Sequence, residues 1–257
     1  TPITFDRVET DTMPAQEVPA LHMLLNADGS YGGTTNGILY GPIKEKNGSS
    51  NHLDKTYYKF VAYYNMKSTS SRVILPNYRA YQQTMSSSCG IAATMSVLNY
   101  YGYDIVNTYN EIALVDKYHE LNTNEPNIKG IGTTRFGLQK LLQHYGFNPT
   151  ITPYEKQGDI YFDTYQDFVA WAKAGLNSNM PLTICFKPHS GHWEVIIGYD
   201  DMGTPYVYDD VIILADPHDT FDHYQDGYNT LNAMTFYSQW YNGNYKWPQK
   251  FIIYPNK

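Results

Sequence analysis

Two stretches of this chain carry residue types suited to nucleophilic chemistry. In Gln83-Thr84-Met85-Ser86-Ser87-Ser88-Cys89-Gly90 a cysteine opens an apolar run, with glutamines at 82 and 83 upstream. A thiol at the first turn of a helix faces unpaired backbone N–H groups and the positive end of the helix dipole, and both favour the thiolate. Gly90 removes a side chain beside the sulfur, which predicts room for a substrate backbone. An upstream glutamine amide, together with the Cys89 N–H, offers two donors to the oxygen of a tetrahedral intermediate. Gln82 and Gln83 are chemically equal in this respect. In Ser190-Gly191-His192-Trp193-Glu194-Val195-Ile196-Ile197-Gly198-Tyr199, His192 stands behind a glycine at the mouth of a strand, the position of a general base that later acts as an acid. A carboxylate must orient the ring, and Asp216 ends the apolar run Val211 to Ala215 just before Pro217. Asp200, Asp209 and Asp210 are the alternatives for that third member.

Other chemistry has little support. The chain shows no Cys-x-x-Cys zinc spacing, no phosphate-binding glycine loop and no Gly-x-Ser-x-Gly elbow. No cofactor and no metal are therefore expected, although His218-Asp219 with Asp222-His223 holds ligand-type residues in one loop. Cys185 lies inside an apolar strand and is expected to be an inert buried thiol. A Cys89 to Cys185 disulfide is the competing expectation for both cysteines. His22, His119, His144 and His189 are expected at the surface or in the core, without a part in chemistry.

The elements that must position these residues can be placed from pattern. Cys89 to Tyr101 puts Ile91, Met95 and Leu98, with Ala92, on one face of a helix that Gly102 stops. Further helices are predicted at Asn110 to His119, Thr134 to Tyr145 and Gln166 to Leu176, the last with Thr164 and Asp167 as a capping box. Strands are predicted at Leu182 to Phe186, Trp193 to Tyr199, Tyr206 to Tyr208, Val211 to Ala215 and Phe251 to Tyr254, with a helix near Leu231 to Tyr241. Helices first and mostly antiparallel strands afterwards argue for an α+β fold. Residues 1–75, rich in Gly, Asn, Ser and Thr between 26 and 51 and with one aromatic strand pattern at Tyr57 to Tyr64, read as a β-rich N-terminal appendage. Residues 76–257 read as the catalytic domain.

At 257 residues the chain is long enough for a sizeable core without covalent staples. Its 18 basic and 25 acidic residues give a net charge of −7 with no basic stripe, which argues against a nucleic-acid partner. Charged residues make up only 17% of the chain, and 26 tyrosines contribute much of its polarity, read here as a solvated β-rich surface. That composition and the Thr1-Pro2-Ile3-Thr4 start favour a secreted or cell-surface protein whose leader has been removed. No apolar run approaches the ~20 residues that span a bilayer.

Gln-x5-Cys-Gly opening a helix, then Gly-His-Trp on a strand, then Asp-Pro, resembles the papain-like cysteine peptidases. Within them the pattern is most similar to bacterial stand-alone members of the bacteriocin-processing, or double-glycine, peptidase family, over roughly residues 78–257. The resemblance implies a papain-like fold with a central helix on an antiparallel sheet. It implies Cys89 as nucleophile, His192 as base, Asp216 as orienter and Gln83 as oxyanion donor, acting on a peptide or protein substrate through a thioester. It also implies that residues 1–75 could be propeptide-like. Phytochelatin-synthase-like enzymes share the scheme of Gln, Cys-Gly and Gly-His, so a peptidyl transferase is the neighbouring expectation. A catalytically idle binding module with the same fold is the expectation from another class. The exporter-linked members carry a membrane domain and an ATPase that this chain lacks, and the interval from His192 to Asp216 looks long for the family.

Overall fold

The computed structural model describes residues 66–124, 132–151, 162, 164–186, 191–218, 227–241 and 252–254. The strand expected at Tyr57 to Tyr64, the loop from Asp219 to His223, and His22 and His189 lie outside the described residues.

The elements run β1 (Arg72–Ile74), α1 (Cys89–Tyr100), α2 (Glu111–Leu121), α3 (Arg135–His144), β2 (Thr150–Ile151), α4 (Tyr165–Asn177), β3 (Leu182–Phe186), β4 (His192–Asp200), β5 (Val211–Ala215), β6 (Tyr228–Asn232), α5 (Ala233–Tyr241) and β7 (Ile252–Tyr254). Helices α2, α3 and α4 start where side chains satisfy their orphan N–H groups. Asn110 caps α2 through Ala113 N at 3.1 Å, Thr134 caps α3 through Gly137 N at 3.0 Å, and the Thr164 and Asp167 capping box closes on α4. The strands form one antiparallel sheet in the order β2-β7-β3-β4-β5-β6, with β1 pairing to β4. β3 covers His192 to Ile196 of β4, and β1 takes up beside it at Gly198 to Asp200, so β4 is flanked along its length. A strand with partners on both edges and helices packed on it must be apolar nearly throughout. From Trp193 to Asp200 every residue of β4 is buried. Thus β1, from the stretch 1–75, belongs to the same sheet as the candidate base.

The expected helix at Cys89 is buried on more than one face. Gly90 through Leu98 are all closed to solvent, because the small residues Gly90, Ala92, Ala93 and Ser96 let α2, α3 and β4 approach from several sides. Thr94 and Ser96 return their hydroxyls to the carbonyls of Gly90 and Ala92 at 2.8 and 3.0 Å, which removes the cost of burying them. Several tyrosines likewise belong to the core, contrary to the expected solvated surface. Tyr118, Tyr199 and Tyr228 are fully buried. Each phenol finds a partner: Tyr228 donates to Tyr78 O at 2.7 Å, Tyr118 accepts from Thr134 N at 3.0 Å, and Tyr199 donates to Asp210.

Two sequence-based elements differ from expectation. Tyr206 to Tyr208 is a turn with both tyrosines exposed; no strand is available to pair with it inside the β4 to β5 connection, where Met202 and Gly203 take positive φ. Residues 228–232 form a strand where the helix was expected to begin, and the helix starts at Ala233. The polar run Asn229-Thr230 hides that strand from a hydrophobicity pattern, yet it pairs with β5 and is buried.

Candidate active site

Cys89 begins α1 and is partly exposed; Cys185 is buried in β3, and no disulfide joins the two. Ser88, at the N-cap, does not cap the helix. It donates its hydroxyl to Glu111 Oε1 at 2.6 Å and to Met85 O at 2.9 Å. The first N–H groups of α1 are therefore not claimed by a capping side chain.

The loop before Cys89 is tied down by Glu111, the first residue of α2, which is 3% exposed. Its carboxylate accepts from Tyr81 Oη at 3.2 Å, from Thr84 N at 3.1 Å, from Thr84 Oγ1 at 2.7 Å and from Ser88 Oγ. A buried carboxylate with this many donors anchors three residues of the loop, Tyr81, Thr84 and Ser88, on one point. The same loop is joined to the sheet, because Gln83 N donates to Pro217 O at 2.9 Å. The Gln83 side chain is buried, and its amide nitrogen donates one hydrogen to Met85 O at 2.7 Å. Gln82 is fully buried beside it.

Gly90 has a role different from the expected one. A Cβ there would stand 1.9 Å from Thr133 Oγ1, 3.0 Å from Trp193 and 3.1 Å from Leu138. The protein's own residues fill the space expected for substrate, so glycine is required for packing. Gly191, in contrast, has open space around it but a φ of +86°, which fixes the direction in which the chain delivers His192 to β4.

His192 and Asp216 come together from adjacent strands, and His192 Nε2 is hydrogen-bonded to Asp216 Oδ1. The Cys89 thiol is close enough to the same ring to favour its proton. Asp216 is held in turn: its carboxylate accepts from His218 N at 2.8 Å and from Asn229 Nδ2 at 3.3 Å, and its own N–H donates to Gly227 O at 3.0 Å. Burial works against a proton on His192. The Asp216 charge and hydrogen bond, the thiol of Cys89 and the charge of Glu194 outweigh it, leaving the ring well above the usual imidazole range. His218, whose ring centre lies 6.1 Å from that of His192, is lowered by burial and by the neighbouring imidazole, against a smaller pull from Asp216.

The alternative aspartates are engaged elsewhere. Asp200 pairs with Arg72 at 3.4 Å, Asp209 accepts from Thr204 Oγ1 at 2.9 Å, and Asp210 accepts from Tyr165 and Tyr199. Asn229 and Glu111 were not singled out in the sequence; both act across long chain separations and carry no local motif. Among the described residues, one cluster brings three metal-type side chains close: His192, Glu194 and Asp216, with donor atoms within 4.8 Å of one another. Nε2 of His192 is already hydrogen-bonded to Asp216, so the cluster fits proton handling better than coordination.

A buried helix that presents a thiol at its first residue, against an antiparallel sheet that presents a histidine and its carboxylate, defines the papain-like α+β class. The Peptidase_C39 like family model matches residues 75–246, and the chain belongs to that family of cysteine peptidases. Among solved structures it is similar to the peptidase domain of Streptococcus ComA, described as a bi-functional ABC transporter involved in a quorum-sensing pathway. The two are 17% identical with a TM-score of 0.40, over 74% of this chain and 100% of that one. A comparison with curated protein sequences gives no match.

Proposed function

We propose that this protein cleaves peptide bonds by acyl transfer through Cys89, His192 and Asp216. The observation that carries the reading is His192 hydrogen-bonded to the Asp216 carboxylate, with the Cys89 thiol at the start of α1 acting on the same ring. Cys89 passes its proton to His192 and attacks the carbonyl carbon, and the C–N bond breaks as the imidazolium protonates the leaving amine. The thioester is then hydrolysed by a water that returns its proton to the ring. The Cys89 N–H, the uncapped start of α1 and the second amide hydrogen of Gln83 are the donors to the oxyanion. Gln82 is the alternative amide. Asp216 keeps Nε2 engaged, so the tautomer presents the other nitrogen to the sulfur. Tyrosine-rich, charge-poor composition supports work outside the cytosol, on a peptide or protein.

Alkylation tests this reading. Iodoacetamide at mildly acidic pH should modify Cys89 far faster than the buried Cys185, with the adduct located by mass spectrometry. A peptide library should be turned over by the wild type and not by Cys89→Ala. Equal alkylation of the two thiols, or turnover retained in Cys89→Ala, rejects it. Ligated products with excess peptide amine would show that the acceptor is an amine and not water.

A further inference from the structure

Strand β4 buries an acid two residues from the candidate base. Glu194 is fully buried among Trp193, Val195, Ile196 and Ile197, where the strand is otherwise apolar. Two residues beyond His192, it shares that residue's face of the sheet. The pairing of Val195 with Ala215 puts Glu194 across from Asp216. Donor atoms of His192, Glu194 and Asp216 lie within 4.8 Å of one another. Two carboxylates opposite each other on a buried face repel, and each costs solvation. A positive charge beside both carboxylates offsets both terms, and the imidazole of His192 has an atom within reach of each.

We propose that Glu194 is a positioning residue for His192: a second carboxylate that, with Asp216, holds the ring as the imidazolium facing the Cys89 sulfur. The inference rests on the Cys89 and His192 chemistry proposed above and adds a residue to it. Asp216 fixes the ring through Nε2 and sets its orientation. Glu194 contributes charge from the side, in a setting where low polarity strengthens the attraction. When Cys89 gives up its proton, the product is a thiolate beside an imidazolium flanked by two carboxylates, with no proton lost to solvent. Among the described residues, the other groups facing the ring are Cys89 from α1, His218 after β5, and the neutral Asn229 from β6. β3 contributes the apolar Ile184 opposite Glu194. His218, lowered as it is, supplies no competing positive charge near neutrality.

The test follows the ring itself, so it does not depend on turnover. Histidine ring signals in an NMR titration, assigned with His192→Ala and His218→Ala, should place the His192 midpoint lower in Glu194→Gln than in the wild type by about one pH unit. The alkaline limb of Cys89 alkylation should fall by a similar amount, with KM for a peptide substrate unchanged. A midpoint that stays put in Glu194→Gln overturns the proposal even if the enzyme is active. An inert Cys89 with a shifted midpoint would leave the Glu194 coupling standing and reject the peptidase reading instead. If Glu194→Gln does not fold, Asp216→Asn decides. With Glu194 alone beside it, the ring should still titrate above ~6.5, and a midpoint at or below that value overturns the proposal.

Discussion

The two ends of strand β4 each bury a carboxylate among polar partners, and they are built for opposite purposes. At the far end Tyr199, from β4, and Tyr165, from α4, both donate to Asp210, with the two phenols 2.8 Å apart. Lys173 lies over the Tyr199 ring and pairs with Asp201 at 2.7 Å. Burial comes first in pushing Tyr165 and Tyr199 far above the usual phenol range. Their protons stay in place at any ordinary pH, so the cluster is a fastening. At the near end the carboxylate faces an imidazole, a group that takes up and releases a proton far more readily than a buried phenol, and the ring is influenced by the thiol of the partly exposed Cys89. A buried polar cluster becomes chemical when one member titrates in the working range and another opens to the outside.

Breaking the near end should have the largest effect on catalysis. His192→Ala is expected to lose ~10⁴-fold or more in kcat, the scale seen when a member of such a catalytic unit is removed, measured on protein that circular dichroism shows to be folded at the assay temperature. A variant that kept most of its turnover would remove His192 from the mechanism. The far end should give the reverse pattern. Asp210→Asn leaves two buried phenols short of a charged acceptor and should cost about 1–3 kcal/mol of stability, measured by urea unfolding, with kcat/KM unchanged in the folded protein. A large loss of kcat there would mean that the fastening also shapes the site.

The smallest expected effect is in the pH dependence of stability, and it also separates the two ends. His192 binds its proton more tightly folded than unfolded, so its contribution is fully present below pH ~6.5 and fades as pH rises through the folded value. Tyr165 and Tyr199 keep their contribution up to pH ~10 and lose it only above that, as the unfolded chain begins to ionise. Melting temperatures of the wild type and His192→Ala should therefore differ in slope just above neutrality and agree in slope below pH 6. Parallel curves throughout would show that the ring is not held charged.

Much of this arrangement is legible in the sequence, because local rules govern it. A cysteine before a helical run, a histidine behind glycine at a strand mouth and an aspartate at a strand end each lie in one short window, and all three converge. The α+β fold followed from helices preceding antiparallel strands, and the capping box at Thr164 marked α4 to within a residue. What escaped depends on register and on distant packing. Asn229 looks like a loop residue until β6 pairs with β5 and puts its amide on Asp216. Glu111 is an ordinary first-turn acid until the loop from Tyr81 to Ser88 folds onto it. The space at Gly90 was assigned to substrate because nothing near it in sequence announces Thr133.

The pairing of β1 with β4 spans 128 positions at the Arg72 to Asp200 contact. Long-range pairings of this kind form late, because the closure entropy of a large loop must be met first. A polypeptide emerging from the ribosome makes Cys89 long before His192, and until β4 settles into the sheet the sulfur has neither base nor fixed surroundings. The thiol and the ring that the proposed chemistry needs are thus brought together only with the closing of the central strand.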